Sequence, residues 1–341
     1  MTGVTGHLGF KALLDALKAG YKVRAAVRSE SKAQTILNNP VFKAAGISQE
    51  KLSFVIVPDL AVPGAYDEAT QGVDYVIHIA SPLATGSEMS QEEYQKFFID
   101  PAVQGTVGML QSAAKVNTIK RIVITSSVVA IVPFEAMISN SETIVTADQR
   151  VPSNPGPYRA EFEAYASSKA FSLNEAEKWV KENNPSFDIV FIHPGFIEGR
   201  NDLVQTAQGV FEGTNAYFLG IAVGKEPSGQ TLPGATVHND DVARLHVEAL
   251  NPKIPAGSYV ANWNADDNVV GSSWEDIHEI VARNFSKEVQ SGLLPNKGGI
   301  KTFRQRFDSR KTEDAFGWKL QSLEEQVKSV VGHYVELSSK A

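Results

Sequence analysis

Gly3-Val4-Thr5-Gly6-His7-Leu8-Gly9 stands at the head of this chain, and an amphipathic segment follows at once. Phe10, Leu13, Leu14 and Leu17 recur at helical spacing, and Gly20 ends the pattern. A glycine cluster that opens a helix predicts a tight turn out of a strand. One glycine takes positive φ, one lets phosphates approach the backbone, and one lets helix and turn pack closely. The helix start then offers free N–H groups and its dipole to an anion. The spacing is G-x-x-G-x-x-G, where the dinucleotide fingerprint reads G-x-G-x-x-G. Only Met1 and Thr2 precede Gly3, where a whole strand belongs. The expectation is a sequence that starts late, with the first strand largely missing and the turn anchored on one side only.

Moving outward, residues 21–28, 52–57, 75–80, 121–125 and 189–193 are strand-like apolar runs. Helical segments fall between them, at roughly 102–116 and 162–183. Near-continuous apolar runs mark strands buried on both faces, so the fold class is α/β with a doubly wound parallel sheet. After Pro194-Gly195 the pattern loosens, and residues 200–235 show no clear period. A helix over 240–250 is expected to be capped by Asn239 or Asp240. A short helix lies around 274–285, and Leu323, Val327, Val330, Val331 and Tyr334 mark an amphipathic C-terminal one. The expected division is a nucleotide-binding domain over 1–195, with a return segment at about 236–262, and a smaller lobe over 196–341.

The composition narrows the function. Net charge is −7 with no block of like charge, which argues against a nucleic-acid partner. The absence of cysteine removes disulfides, thiol catalysis and cysteine-bound zinc. No secretory signal pattern opens the chain, and no apolar run reaches the ~20 residues of a membrane span. The expected location is the cytoplasm, as a monomer or homodimer, without a membrane or metal. The Asn284-Phe285-Ser286 triplet reads as chance, and neither His193 nor His238 has the spacing of a metal ligand. A local cap or a bond between lobes is the expected role of His238.

Gly3, Gly6, His7, Leu8 and Gly9 would hold the phosphates of a dinucleotide. Arg28 ends the second strand, about 20 residues on, where an acidic residue would grip a ribose 2′-hydroxyl. An arginine there suits a 2′-phosphate, with Lys32 sharing the charge, so the expected cofactor is NADP(H). Asp59 and Leu60 are placed for the adenine. Ala80, Ser81 and Thr125 are placed to line the dinucleotide, and the backbone at Pro194 and Gly195 for the nicotinamide carboxamide.

Tyr165-Ala166-Ser167-Ser168-Lys169 carries the chemistry. Tyr165 and Lys169 share one helix face, and an ammonium nearby is expected to lower the phenol's pKa. Tyr165 then exchanges a proton with a substrate oxygen, and Lys169 also holds ribose hydroxyls. Ser127, 38 residues before the tyrosine, donates to the oxygen on which charge develops.

These motifs resemble the extended short-chain dehydrogenase/reductase superfamily, and within it the dihydroflavonol-reductase-like carbonyl reductases. The likeness rests on Thr2–Gly9, Val23–Arg28, His78-Ile79-Ala80-Ser81-Pro82, Asp100–Thr106, Thr125-Ser126-Ser127, Tyr165–Lys169, His193–Phe196, Val237–Ala243 and Ser322–Val327. It implies a Rossmann domain with a smaller C-terminal substrate lobe, and Ser127, Tyr165 and Lys169 in the roles just given. Plant flavonoid reductases carry an Asn shortly after the catalytic Ser. Here Val128–Phe134 is wholly apolar, which points to an apolar or aromatic aldehyde or ketone. Phe134 and Phe196, with Phe211, Tyr217 and Phe218, are candidates for its pocket.

Two other functions sit on such a fold. A sugar-nucleotide epimerase or dehydratase would need cations for a diphosphate, and residues 196–250 hold only Arg200, Lys225 and Arg244. A non-catalytic dinucleotide-sensing regulator commonly loses the Tyr or the Lys, and both are present. Arg28→Ala is expected to narrow the ratio of NADPH to NADH affinity; a ratio left unchanged overturns Arg28 as the selector.

Overall fold

The computed structural model describes residues 1–84, 86–87, 89–224, 231–266 and 269–340. Lys225 lies outside the described residues. The chain forms two compact units. One comprises Met1–Phe134, Asp148–His193 and Ala243–Tyr259; the other comprises Glu135–Ala147, Pro194–Val242 and Val260–Ala341.

The first unit is a parallel α/β sheet. Its main helices are α1 (His7–Lys18), α2 (Asp100–Ala114) and α3 (Glu161–Asn183). Its strands are β1 (Val23–Val27), β2 (Leu52–Ile56), β3 (Tyr75–His78), β4 (Arg121–Thr125) and β5 (Asp188–Pro194), with β6 (Gly257–Ala261) beyond β5. The pairs β1–β2, β3–β4 and β4–β5 all run parallel. Ile122, Val123 and Ile124 are buried in succession, as are Val190, Phe191 and Ile192. Such runs need cover on both faces of the sheet. α1 buries Phe10, Leu13, Leu14 and Leu17, the residues whose spacing predicts it. α2 packs along α3.

Between β1 and β3 stand Met1 and Thr2. Thr2 bridges in parallel to both Ala26 and His78. The Ala26 N–H donates to the Met1 carbonyl at 2.8 Å, and the Thr2 N–H donates to the Ile77 carbonyl at 3.0 Å. The expectation of a turn anchored on one side only is corrected: Met1 and Thr2 pair with both neighbours.

Arg121 is a buried tie that sequence periodicity does not mark. Its guanidinium meets the Asp188 carboxylate through two bonds of 2.6 and 2.7 Å. Its Nη1 donates to the carbonyls of Ala249, Asn251 and Ile254 at 2.9, 2.8 and 2.8 Å. One cation thereby satisfies a carboxylate on β5 and the open carbonyls past a helix end.

In the second unit the strands Phe196–Glu198 and Thr236–His238 pair in parallel. Helices Asn215–Val223, Ile277–Asn284 and Leu323–Ser338 build its core with Trp274. The helix Asn215–Val223 lies in the stretch without sequence period because it is apolar nearly all round and buried on most sides. A helix without a polar face has no amphipathic signal. The helix Asn239–Glu248 starts as expected, but its cap differs: His238 Nδ1 accepts the Asp240 N–H at 3.0 Å, in place of Asn239 or Asp240. The C-terminal helix opens on a capping box of Ser322 and Glu325.

The glycine turn is governed by close approach. Gly3 has φ +75°, and a Cβ there would lie 2.9 Å from the Ala80 nitrogen. A Cβ on Gly9 would lie 1.9 Å from the Gly3 carbonyl oxygen, inside contact with backbone. Gly9→Ala is expected to destabilise the fold by about 1–3 kcal/mol, as overpacking does. A urea-unfolding midpoint equal to that of the parent chain would show that the turn relaxes freely.

Candidate active site

Ser127, Tyr165 and Lys169 meet in the first unit. β4 ends at Thr125, and Ser127 opens the short turn Val128–Ala130 with its Oγ accepting the Val129 N–H at 3.4 Å. Tyr165 and Lys169 sit one turn apart near the start of α3. The Ser127 side chain lies beside the Tyr165 hydroxyl and acts to lower its pKa. Lys169 Nζ lies 5.5 Å from the centre of the Tyr165 ring and donates to Ser81 Oγ at 2.9 Å.

The electrostatics depart from the sequence expectation. Burial around the hydroxyl pushes Tyr165 up to about 12, against the opposing pull of the Ser127 side chain. Burial likewise lowers Lys169 to about 8. The expected lowering of the phenol by Lys169 is therefore corrected. The ammonium is directed to Ser81, and loss of water from both groups outweighs their attraction.

The other expected residues divide. Thr125 lines a small cavity with Ala80, Ser81, Ser126 and Lys169, but its Oγ1 is bonded to the buried His246 Nε2 at 2.7 Å. His246 is not marked by the sequence, since it lies on a helix far along the chain. Asp59 Oδ1 accepts the Ala61 N–H at 2.8 Å and shapes its own turn. Leu60 packs against α2 at Gly105, where a Cβ would meet its Cδ1 at 2.4 Å. Pro194, Gly195 and Phe196 belong to the second unit. There the Gly195 N–H donates to Ala261 and the Phe196 N–H to Ala235, at 3.0 and 2.7 Å. The backbone donors expected to hold a carboxamide are thus already engaged.

The glycine turn fits the phosphate end of a dinucleotide. Gly3 and Gly9 have no room for a Cβ, whereas Gly6 meets nothing nearer than 3.5 Å. The N-terminus of α1 has no side-chain cap, so its dipole faces an anion without a competing cap side chain. Arg28 and Lys32 are exposed, and among the described residues neither side chain has an ion pair or hydrogen bond.

Aromatic rings flank Tyr165. Phe162 stacks on it with centroids 6.4 Å apart, and the buried Phe98 meets it edge-on at 6.3 Å. Phe134 lies 5.8 Å from Phe162. Phe162 and Phe98 were not legible as site residues, although the i, i+3 spacing from 162 to 165 carries the signal for the first. The apolar run Val128–Val132 is buried and forms core. Phe196, Tyr217 and Phe218 surround Trp274 at 5.5–5.8 Å, while Phe211 packs on Tyr334. Phe218 is buried in the core of the second unit, and Phe196, Phe211 and Tyr217 are partly buried against the same cluster. Among the described residues no three His, Asp or Glu side chains gather as a metal site. No described helix is long and apolar enough to cross a membrane.

Residues 1–259 match the family model described as NAD dependent epimerase/dehydratase family. Ketoreductase CTB6 of Cercospora nicotianae is 38% identical over 347 residues, covering 100% of this chain and 95% of the relative. A putative NADPH-dependent methylglyoxal reductase, GRP2 of Candida albicans, is 25% identical over 352 residues, with 97% and 98% covered. The solved structure of Gre2 from Candida albicans in complex with NADPH is similar in fold, with a TM-score of 0.80 at 22% identity and 98% of each chain covered. A nucleotide-ready glycine turn, a Ser-Tyr-Lys cluster and a family match over three-quarters of the chain agree, and this protein belongs to the NAD dependent epimerase/dehydratase family of extended short-chain oxidoreductases.

Proposed function

We propose that this protein reduces a ketone or aldehyde to the alcohol with NADPH, Tyr165 giving the proton and Ser127 and Lys169 orienting the reacting groups. The observation that carries this reading is the gathering of Ser127 beside the Tyr165 hydroxyl with the Lys169 ammonium 5.5 Å from the Tyr165 ring, one helical turn away. When bound, the nicotinamide supplies the hydride.

The residues are in the protonation states that reduction needs. A phenol at about 12 keeps its proton through the neutral range. It is an acid for a developing alkoxide and a weak base for the reverse reaction. Lys169, at about 8, is mainly ammonium at pH 7 and offers N–H donors for ribose hydroxyls. Ser127 offers a second donor to the carbonyl oxygen as charge builds there. At the other end, the unpartnered Arg28 guanidinium suits a 2′-phosphate, which favours NADP(H).

Half-buried Phe134 and Phe162 beside Tyr165 favour an apolar or aromatic carbonyl compound. A sugar-nucleotide substrate is disfavoured, because Arg200 is held by Asp202 and Glu336 and Arg244 by Glu248. The named relatives, a ketoreductase and a methylglyoxal reductase, point the same way.

Tyr165→Phe is expected to lower kcat by about 10²–10⁴-fold, the usual weight of a positioned acid. Its affinity for NADPH, read by thermal shift, should stay within about twofold of the parent chain because the phenyl ring keeps its packing. Undiminished turnover would remove Tyr165 as the proton donor.

A further inference from the structure

His78 is buried, with 2% of its surface exposed, and its ring state follows from its neighbours. Thr2 Oγ1 accepts the N–H groups of Ile79 and Ala80 at 3.0 and 3.1 Å. A hydroxyl oxygen has two lone pairs, and both are then in use. The remaining Thr2 hydrogen goes to His78 Nδ1, 3.1 Å away. Nδ1 is therefore the acceptor, and Nε2 carries the proton. Burial, with Lys169 nearby, pushes the imidazole down to about 3, so the ring is neutral.

That Nε2–H has no partner among the described residues, and neither has Ser172 Oγ. Both line the same cavity, of about 10 Å³, together with Thr106 and Lys169. Ile124, Leu173 and Phe191 supply its apolar wall. Ser172 follows Lys169 by three residues on α3, so the two share a side of the helix. Lys169 Nζ makes one hydrogen bond, to Ser81, out of the three it can donate. A buried water needs about 10–15 Å³ and two to four polar partners, whereas a sugar ring needs far more room.

We propose that the cavity behind Lys169 is a site for one water molecule, held by His78 Nε2 and Ser172 Oγ, and that this water in turn holds the Lys169 ammonium. The hydrogen bonds balance. The water oxygen accepts from His78 Nε2–H and from Lys169 Nζ–H, and one of its hydrogens is donated to Ser172 Oγ. An acceptor bonded to the ammonium favours the charged form, which burial alone disfavours. His78 and Ser172 are thereby positioning residues for the lysine. The titratable groups facing Lys169 are Tyr165 from its own helix and His78 from β3. The role of the water rests on the proposed function, but the site itself does not.

A crystal structure of the full chain, at a resolution that shows ordered water, tests the site without turnover. One water within hydrogen-bond distance of His78 Nε2 and Ser172 Oγ is expected; a dry cavity overturns the proposal. The role is tested by the pH profile of kcat. In Ser172→Val and in His78→Phe the alkaline limb is expected to move to lower pH by about one unit, the weight of a hydrogen bond to a charged group. Ser172→Thr keeps the hydroxyl and should restore the limb. An unmoved limb in variants with parental thermal stability overturns the positioning role. A chain that reduces no carbonyl compound refutes the proposed function, and the crystallographic water then decides the site alone.

Discussion

Thr2 is the residue on which the rest of the first unit depends. Its backbone joins β3, and with Met1 it spans β1 and β3 as the centre of the sheet. Its hydroxyl closes the turn after β3 by accepting from Ile79 and Ala80 and sets the tautomer of His78. Gly3, at φ +75°, then lies against Ala80 with no room for a Cβ. Ser81 follows Ala80 and receives Lys169. A single hydroxyl thus connects the glycine turn to the segment that receives Lys169.

Burial is the second constraint, and it acts in opposite directions on Tyr165 and Lys169. It raises a phenol and lowers an ammonium, because each loses hydration in its charged form. The result is a proton-bearing Tyr165 beside a lysine whose charge is only modestly favoured. Such a pair suits the proposed gift of a proton at neutral pH. Polar groups buried around it, Ser127, His78 and Ser172, then matter more than they would in water, since the low local dielectric strengthens every hydrogen bond.

The parallel sheet was legible because apolar runs such as Ile122–Ile124 have no other stable setting than between two helix layers. α1 was legible from Phe10, Leu13, Leu14 and Leu17, whose spacing alone defines a buried face. The helix Asn215–Val223 was not, since a segment buried all round has no polar side to reveal its period. Arg121 was not, because a lone arginine at a strand start reads as solvated until its carboxylate and three carbonyls are brought to it. Phe196, Tyr217 and Phe218 read singly as core more readily than as pocket, and the ring they pack on, Trp274, lies more than 50 residues further along the chain.

The sequence by itself determined the α/β class, the glycine turn, the arginine after β1 and the Ser-Tyr-Lys order. Each of these is written in local spacing or in the type of a single residue. Tertiary structure alone decided that Thr2 completes the sheet, that His246 holds Thr125, that Phe162 stacks on Tyr165, and that the phenol's pKa rises. These outcomes depend on which atoms are left without water, and dehydration is a property of the packed chain, not of neighbours in sequence.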